Sequence, residues 1–164
     1  NNVNVTVHAG EAFGAESIAQ ALHYCGAHRI GHGTRLREDR AIFDYVNDHR
    51  IPLEMCLTSN VQTGAVPNLR AHPFRDYLAA GLRVTLNTDN RLVSSTTVTQ
   101  ELDRAVTSLR LRPRDVRHVL LNGFKSAFLP LREKGEILLR AVGEIDAAFE
   151  AARATEAEVE WDLL

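Results

Sequence analysis

The sequence predicts an α/β fold with a parallel sheet, followed by a helical region. Over the first 94 residues, short runs of β-branched and apolar residues alternate with amphipathic stretches. This alternation is typical of parallel strands joined by helices. From Thr96 onward the apolar residues recur at helical spacing. A length of 164 residues suits one domain with a sizeable core.

Each predicted strand is a short run of β-branched or apolar residues. These runs span residues 3–8, 29–32, 51–56 and 82–87. Between them, apolar residues at three- and four-residue steps predict helices over 12–25 and 38–49. A Gly/Pro/Asn loop is expected after Cys56, followed by a short helix over about 73–80 that ends at Gly81.

The remaining helices are indicated by their start signals. Thr96 or Thr97 is a suitable N-cap for the first helix. Pro113 opens the second, because proline is favoured at the first helical position. Pro130 precedes a long third helix that is expected to reach about Arg153.

Composition narrows the class of partner and the compartment. The 19 basic and 21 acidic side chains give a formal net charge of −2, so no uniform field attracts nucleic acid or an anionic membrane, and a small molecule is expected. Cys25 and Cys56, without CxxC spacing, favour a reducing cytoplasmic setting. No signal peptide or membrane span is recognised. The chain has no initiator Met, which suggests a processed product or a piece of a longer chain.

Polar residues that carry chemistry follow each predicted strand. They are His8 and Glu11, His32, the run Thr58-Ser59-Asn60, and Asp89 with Asn90. In parallel α/β folds the carboxyl ends of the strands open on one face, where ligands bind. These side chains are therefore expected to converge.

Two histidines, a glutamate and an aspartate at one edge suit a hydrolytic metal site. Imidazole and carboxylate both bind zinc, and a catalytic zinc lowers the pKa of water. A nearby carboxylic acid can protonate the group under attack, and a second imidazole can hold or take the proton of the water. Taken singly, His8, Glu11 and Asp89 have ordinary explanations as loop, first-turn and capping residues. Their joint placement favours the site.

Other candidate residues receive an ordinary interpretation. Cys56 is interpreted as a core residue, since the chain has no G-x-S-x-G motif and no CxxC pair. Five histidines do not share the strand-end placement and are given no role: His23, His28, His49, His72 and His118.

At these motifs the sequence resembles a known family. The matching segments are VTVHAGE at 5–11, RIGHGT at 29–34, LEMCLTSN at 53–60 and VTLNTDN at 84–90. In residue identity, order and spacing, these segments resemble motifs from the second half of the sequences of the adenosine deaminase family. This family lies within the amidohydrolase superfamily of metal-bearing (β/α)8 barrels. The close resemblance covers residues 5–94.

The resemblance implies a fold and a division of the chain. The fold would be the C-terminal half, strands five to eight, of a TIM-type (β/α)8 barrel followed by C-terminal helices. The chain would then be one partial domain, 1–164. Its parts are 1–94 with the barrel strands and site motifs, 95–153 as the helical C-terminal region, and 154–164 as a frayed acidic tail.

The resemblance also implies a reaction, the zinc-dependent hydrolytic deamination of adenosine and 2'-deoxyadenosine with release of ammonia. His8 and Asp89 would be zinc ligands, and Asp89 would also hold the attacking hydroxide. Glu11 would protonate the purine at N1. His32 would orient the water and act as a base or an electrostatic stabiliser.

Three further residues acquire roles in the same way. Gly10 would let its backbone approach the purine, which a Cβ would obstruct. Asn90 stands where many members carry a second aspartate, and its amide would donate to N7 of the purine. Ser59 would hydrogen-bond a metal ligand. Leu57 replaces a common proline and touches no ligand.

The family's HxH pair, which supplies two further zinc ligands, is absent from this sequence. Those ligands are expected from a missing N-terminal half, so the chain alone is expected to bind zinc weakly. Two alternatives stay open: a deaminase of a related 6-aminopurine, either adenine or an adenosine phosphate, and a non-catalytic half-barrel. The oligomeric state is not predicted.

Overall fold

The computed structural model describes residues 3–161 and contains a four-stranded parallel sheet. The strands are β1 (Thr6–Ala9), β2 (Arg29–His32), β3 (Leu53–Met55) and β4 (Val84–Leu86). They are hydrogen-bonded in the order β1-β2-β3-β4, each parallel to the next. The predicted α/β fold with a parallel sheet is confirmed.

Helices connect the strands and form the C-terminal part. They are α1 (Ala15–His23), α2 (Arg40–Asp48), α3 (Leu57–Gln62), α4 (Phe74–Ala79), α5 (Arg91–Ser94), α6 (Val98–Thr107), α7 (Pro113–Lys125) and α8 (Leu131–Trp161). Single turns of 3₁₀ helix lie at Leu36–Glu38 and Leu69–Ala71. Among residues 3–161, no helix has the length and apolar character needed to cross a membrane.

The core lies between the sheet and the connecting helices. Ile30 and Leu53 on the strands are fully buried against residues such as Ile18 of α1 and Phe74 of α4. Tyr77 of α4 is also buried, and its hydroxyl donates to the carbonyl oxygen of Thr34 at 2.9 Å. This bond ties α4 to the segment that follows β2.

The register aligns the carboxyl ends of the strands. Ala9 pairs with His32, and Met55 pairs with Leu86, so neighbouring strands end at the same level. The ladder continues one residue further, where the amide of Asn87 donates to the carbonyl oxygen of Met55 at 2.9 Å. Residues that follow the strands therefore emerge at one edge of the sheet.

Two short helices differ from the sequence prediction. The loop expected directly after Cys56 begins only after Gln62, because α3 occupies residues 57–62. The four-residue helix α5 follows Asn90, whose side chain accepts from two backbone amides of its first turn. Both are too short to show an amphipathic period in the sequence.

The C-terminal helices follow the predicted start signals. Thr97 caps α6, and Pro113 is the first residue of α7. Arg117 and Asp146 make a two-bond ion pair of 2.6 and 2.9 Å between α7 and α8. The backbone of α8 continues to Trp161, past the expected end near Arg153, while residues 162–164 of the predicted acidic tail lie outside the described part.

The N-cap of α6 provides a stability test. Thr97 accepts from the amide of Gln100 at 3.2 Å, and the Gln100 side chain accepts from the amide of Thr97 at 2.9 Å. We expect Thr97→Ala to lower the free energy of unfolding by about 1 kcal/mol in urea denaturation, because one amide of the first turn loses its partner. Thr99→Ala, at an exposed position on the same helix, is the matched control. Equal losses in the two variants would contradict the capping role.

Candidate active site

His8 lies on β1 beside a strand position that has no side chain. A Cβ at Gly31 of β2 would stand 2.6 Å from Cδ2 of His8, so glycine provides the room for this ring. The ring of His8 meets that of His32 almost at right angles, with 4.7 Å between the centroids. The structure thus brings together the two histidines that the sequence predicted to converge.

Glu11 is held through one of its two carboxyl oxygens. Its Oε1 accepts from Nδ2 of Asn60 at 3.1 Å and from Oγ1 of Thr63 at 3.0 Å. Its Oε2 faces Nε2 of His32 at 3.4 Å, which is longer than an ordinary hydrogen bond. Oε2 is therefore the oxygen available to a ligand.

His32 ends β2 in an unusual backbone conformation and is almost fully buried. Its φ of 66° lies in the left-handed region, which costs a non-glycine residue about 1–3 kcal/mol. The side chain is 2% exposed, and its Nδ1 lies 2.9 Å from Nδ2 of Asn60. Burial lowers the pKa of His32 more than the charge of Glu11 raises it, which favours the neutral imidazole.

Asp89 follows β4 with a similar backbone conformation, at a φ of 57°. Oγ of Ser59 donates to its Oδ2 at 2.6 Å. This hydrogen bond is the main reason that the pKa of Asp89 lies below its ordinary value, so the group stays a carboxylate. Ser59 thus contacts the residue predicted as a metal ligand.

Helix α3 carries side chains that hydrogen-bond to Glu11 and Asp89, and the start of α3 is in turn hydrogen-bonded to Glu101. Glu101 of α6 is 1% exposed. It accepts from the amide of Thr58 at 3.1 Å and from the Thr58 hydroxyl, at the start of α3. It also accepts from Thr96 at 2.8 Å and pairs with Arg104 at 3.1 Å. Sequence reasoning missed Glu101, because an acidic residue in a first helical turn gives no distinctive signal.

His72 is a second residue that sequence reasoning missed. It is 3% exposed, and its Nε2 lies 3.2 Å from Oδ1 of Asn60. Its Nδ1 accepts from the backbone amide of Phe74 at 3.2 Å. Burial lowers the pKa of His72 to about 3, so the side chain is neutral. It belongs to the network around Glu11 and His32 although it follows no strand.

Gly10 has structural reasons to be a glycine. Its φ is +66°, and a Cβ would stand 2.5 Å from Cδ1 of the buried Ile18. That Cβ would point toward α1, so the conformation and the packing account for glycine here. A contact between the Gly10 backbone and a purine stays a prediction.

Asn90 is both an N-cap and a candidate donor. Its Oδ1 accepts from the amides of Leu92 and Val93, each at 3.1 Å. Within residues 3–161, its Nδ2 makes no hydrogen bond that competes with a ligand. The amide is thereby oriented with its donor end away from α5.

A cavity of about 410 Å³ lies over the carboxyl ends of the strands. His8, His32 and Asp89 line it together with Cys56. Burial raises the pKa of Cys56 to about 12, so the thiol stays protonated. This agrees with the interpretation of Cys56 as a core residue and disfavours a nucleophilic role.

Two side chains that line this cavity are of the types that bind zinc. His8 supplies an imidazole and Asp89 an ionised carboxylate, and zinc accepts both donor types. In the part of the chain that the structure describes, no three His, Cys, Asp or Glu side chains are grouped to hold a metal ion. The residues fit two positions of a zinc site, and a third ligand would have to come from elsewhere.

Comparisons with known proteins identify the family. The family model described as adenosine deaminase matches residues 1–144. The chain belongs to the adenosine deaminase family. The adenosine deaminase of Mycobacterium ulcerans (strain Agy99) is 43% identical over 149 residues, which cover 84% of this chain and 41% of that protein. The chain therefore spans less than half the length of a curated relative from the adenosine deaminase family, whose members are hydrolases.

Solved structures agree with this membership. An adenine deaminase from Arthrobacter aurescens matches with a TM-score of 0.82 and 31% identity, over 87% of this chain and 43% of that chain. Arabidopsis ADAL, solved in complex with GMP, matches with a TM-score of 0.75 and 28% identity, over 90% of this chain and 42% of that chain. These coverages confirm the fold implied by the resemblance, half of an amidohydrolase barrel.

The buried His72 predicts a pH dependence of stability. Its folded-state pKa of about 3 lies below the ordinary value of 6.5. Between these values the unfolded chain binds a proton that the folded chain does not, so stability falls as the pH falls from 6.5 toward 3, by up to about 1.4 kcal/mol per pH unit. We expect His72→Gln to flatten the pH profile of urea unfolding in this window. His23→Gln, at an exposed histidine, is the control, and equal flattening in both variants would contradict the assignment.

Proposed function

We propose that the protein containing this chain hydrolyses the 6-amino group of adenosine and 2'-deoxyadenosine, giving the corresponding inosine and ammonia. The observation that carries this proposal is the meeting of Glu11, His32 and Asp89 at one edge of the sheet. Glu11 and His32 face each other at 3.4 Å, and Asp89 lines the same cavity as His32. A hydrolytic deamination needs an acid for the ring, a positioned water and a negative group that stays ionised.

Glu11 would act as the acid that protonates N1 of the purine. Asn60 and Thr63 both donate to its Oε1. An oxygen that accepts two hydrogen bonds is the less favourable place for a proton, so the acidic proton would lie on Oε2. Oε2 is also the oxygen that accepts no hydrogen bond from Asn60 or Thr63.

His32 and Asp89 would act on the water that attacks C6. His32 would orient this water and serve as a base or as an electrostatic stabiliser. Asp89 would hold the water through its carboxylate, which Ser59 keeps in the ionised form. His8 and Asp89 would hold a zinc ion, which when bound lowers the pKa of water in the site toward neutrality.

Two residues would contribute to recognition of the purine. The Nδ2 group of Asn90 would donate to N7, since its Oδ1 is engaged by α5. The backbone at Gly10 would lie beside the ring. A cytoplasmic location is part of the proposal, and the free thiols of Cys25 and Cys56 support it, because such cysteines are typical of reducing compartments.

A related 6-aminopurine is the second candidate substrate. One structural neighbour is an adenine deaminase, and another was solved with the nucleotide GMP. Adenine and adenosine phosphates present the same N1, C6 and N7 atoms as adenosine. The residues of this chain would therefore act in the same way on adenosine, adenine and an adenosine phosphate. Ammonia release from adenosine, 2'-deoxyadenosine, adenine and AMP by the complete protein would distinguish these substrates.

Glu11→Gln tests the proposed acid. In the complete protein that carries this chain, we expect kcat for adenosine to fall by about 10²–10⁴-fold, because the amide cannot supply the proton to N1. Zinc content should stay unchanged, since Glu11 is not a proposed ligand. Glu16→Gln, an exposed substitution on α1, is the control. Wild-type turnover in Glu11→Gln would overturn the proposal, as would the absence of ammonia release from every purine tested with the wild-type protein.

His8→Ala tests the proposed metal ligand. We expect metal analysis to find about one zinc per complete wild-type protein, and clearly less in the variant, because catalytic zinc sites depend on three or more protein ligands. His23→Ala, at an exposed histidine on α1, should keep the full content. Undiminished zinc in His8→Ala would remove this residue from the ligand set.

A further inference from the structure

A chain of hydrogen bonds runs from the backbone of α4 to Glu11 and to the cavity residue His32. It passes from the amide of Phe74 through His72 to Asn60, and from Asn60 to both residues. His72, Asn60 and His32 are 3%, 0% and 2% exposed. At this depth, unmatched donors and acceptors are costly, so the hydrogens of the network are determined by its geometry.

The first link fixes the tautomer of His72. A backbone amide can only donate, so Nδ1 of His72 must accept from Phe74 at 3.2 Å. The pKa of His72 is lowered to about 3, and a neutral imidazole carries a single N–H. That hydrogen is therefore on Nε2, from which it is donated to Oδ1 of Asn60 at 3.2 Å.

The second link fixes the amide of Asn60. With Oδ1 turned to His72, the two hydrogens on Nδ2 point to Oε1 of Glu11 at 3.1 Å and to Nδ1 of His32 at 2.9 Å. Glu11 gives an independent reason for this orientation, because a carboxylate oxygen accepts and does not donate. His72 and Glu11 therefore require the same orientation of the Asn60 amide.

The third link concerns His32. Since its Nδ1 accepts from Asn60, a neutral His32 carries its hydrogen on Nε2, the nitrogen that faces Glu11. We propose that His72 is a positioning residue which, through the amide of Asn60, holds His32 in the Nε2–H tautomer and directs an N–H to Oε1 of Glu11.

The tautomer of His32 determines what this residue can do in catalysis, if the proposed function holds. In the Nε2–H tautomer the cavity-facing nitrogen has no free lone pair. A neutral His32 therefore donates a hydrogen bond to the oxygen that adds to C6, and does not take a proton from it. The Nε2–H tautomer therefore favours an electrostatic role for His32 over a role as a base.

A matched pair of variants separates the donor at position 72 from its volume. In His72→Gln the amide nitrogen replaces Nε2 as the donor to Asn60. His72→Met has a side chain of similar length and no donor. Without a donor, the buried amide of Asn60 is free to turn over and to present its oxygen to Nδ1 of His32.

The direct readout is the tautomer of His32 from ¹⁵N NMR of the histidine rings, in the zinc-free complete protein. The signals of His32 are assigned by their loss in His32→Asn. We expect the Nε2–H tautomer in the wild type and in His72→Gln, and an increased Nδ1–H population in His72→Met. In the zinc-loaded protein, kcat should fall by about 10–100-fold in His72→Met with KM little changed, and His72→Gln should restore it.

Two results would overturn the inference: an Nδ1–H tautomer in the wild type, or an unchanged Nε2–H tautomer in a folded His72→Met. If His72→Met does not fold, Asn60→Asp provides the second test. A carboxylate has no hydrogen to donate, so we expect Nδ1 of His32 to become the protonated nitrogen. An unprotonated Nδ1 of His32 in this variant would also overturn the inference. Because the tautomer is measured without zinc or substrate, an Nε2–H tautomer in a protein that deaminates no purine would reject the proposed function alone.

Discussion

The in-phase register of the four parallel strands is the constraint on which the site depends. The pairing of Ala9 with His32, and of Met55 with Leu86, ends neighbouring strands at one level. Residues far apart in sequence are thereby delivered to one edge of the sheet. If one strand shifted its pairing by one residue, the side chains of that strand would turn to the opposite face of the sheet. The chemistry of the edge is therefore a consequence of backbone pairing.

A second layer of organisation lies above the strand ends, in helix α3. Ser59 holds Asp89, while Asn60 holds Glu11 and His32. This six-residue helix is itself held at its start by the buried carboxylate of Glu101. The helical C-terminal region thus contributes to the position of the acidic residues although Glu101 does not line the cavity. A buried carboxylate is tolerated there because the amide and hydroxyl of Thr58, together with Arg104, satisfy it.

The main elements of the fold could be predicted from the sequence, because strand and helix periods are local signals. The bounds of β2 and the capping role of Thr97 agree with the prediction, since each depends on residues within a few positions. The helix α3 could not be predicted, because it has only six residues and the carboxylate that accepts from its first turn, Glu101, lies 43 positions away from Thr58. His72 was given no role, because its link to Asn60 depends on how α3 and the start of α4 pack. At Gly10 the predicted purine contact stays a prediction, whereas the contact with Ile18 that accounts for glycine in the structure is not visible in the motif.

A crystal structure of the complete protein with bound inosine would show whether the strand-end residues form one purine site. We expect N1 of the base to lie about 3 Å from Oε2 of Glu11, with the 6-oxygen facing His32 and Asp89. N7 should be within reach of the Asn90 amide. Inosine bound with its 6-oxygen turned away from these residues, or bound at another surface, would show that they do not form a purine site.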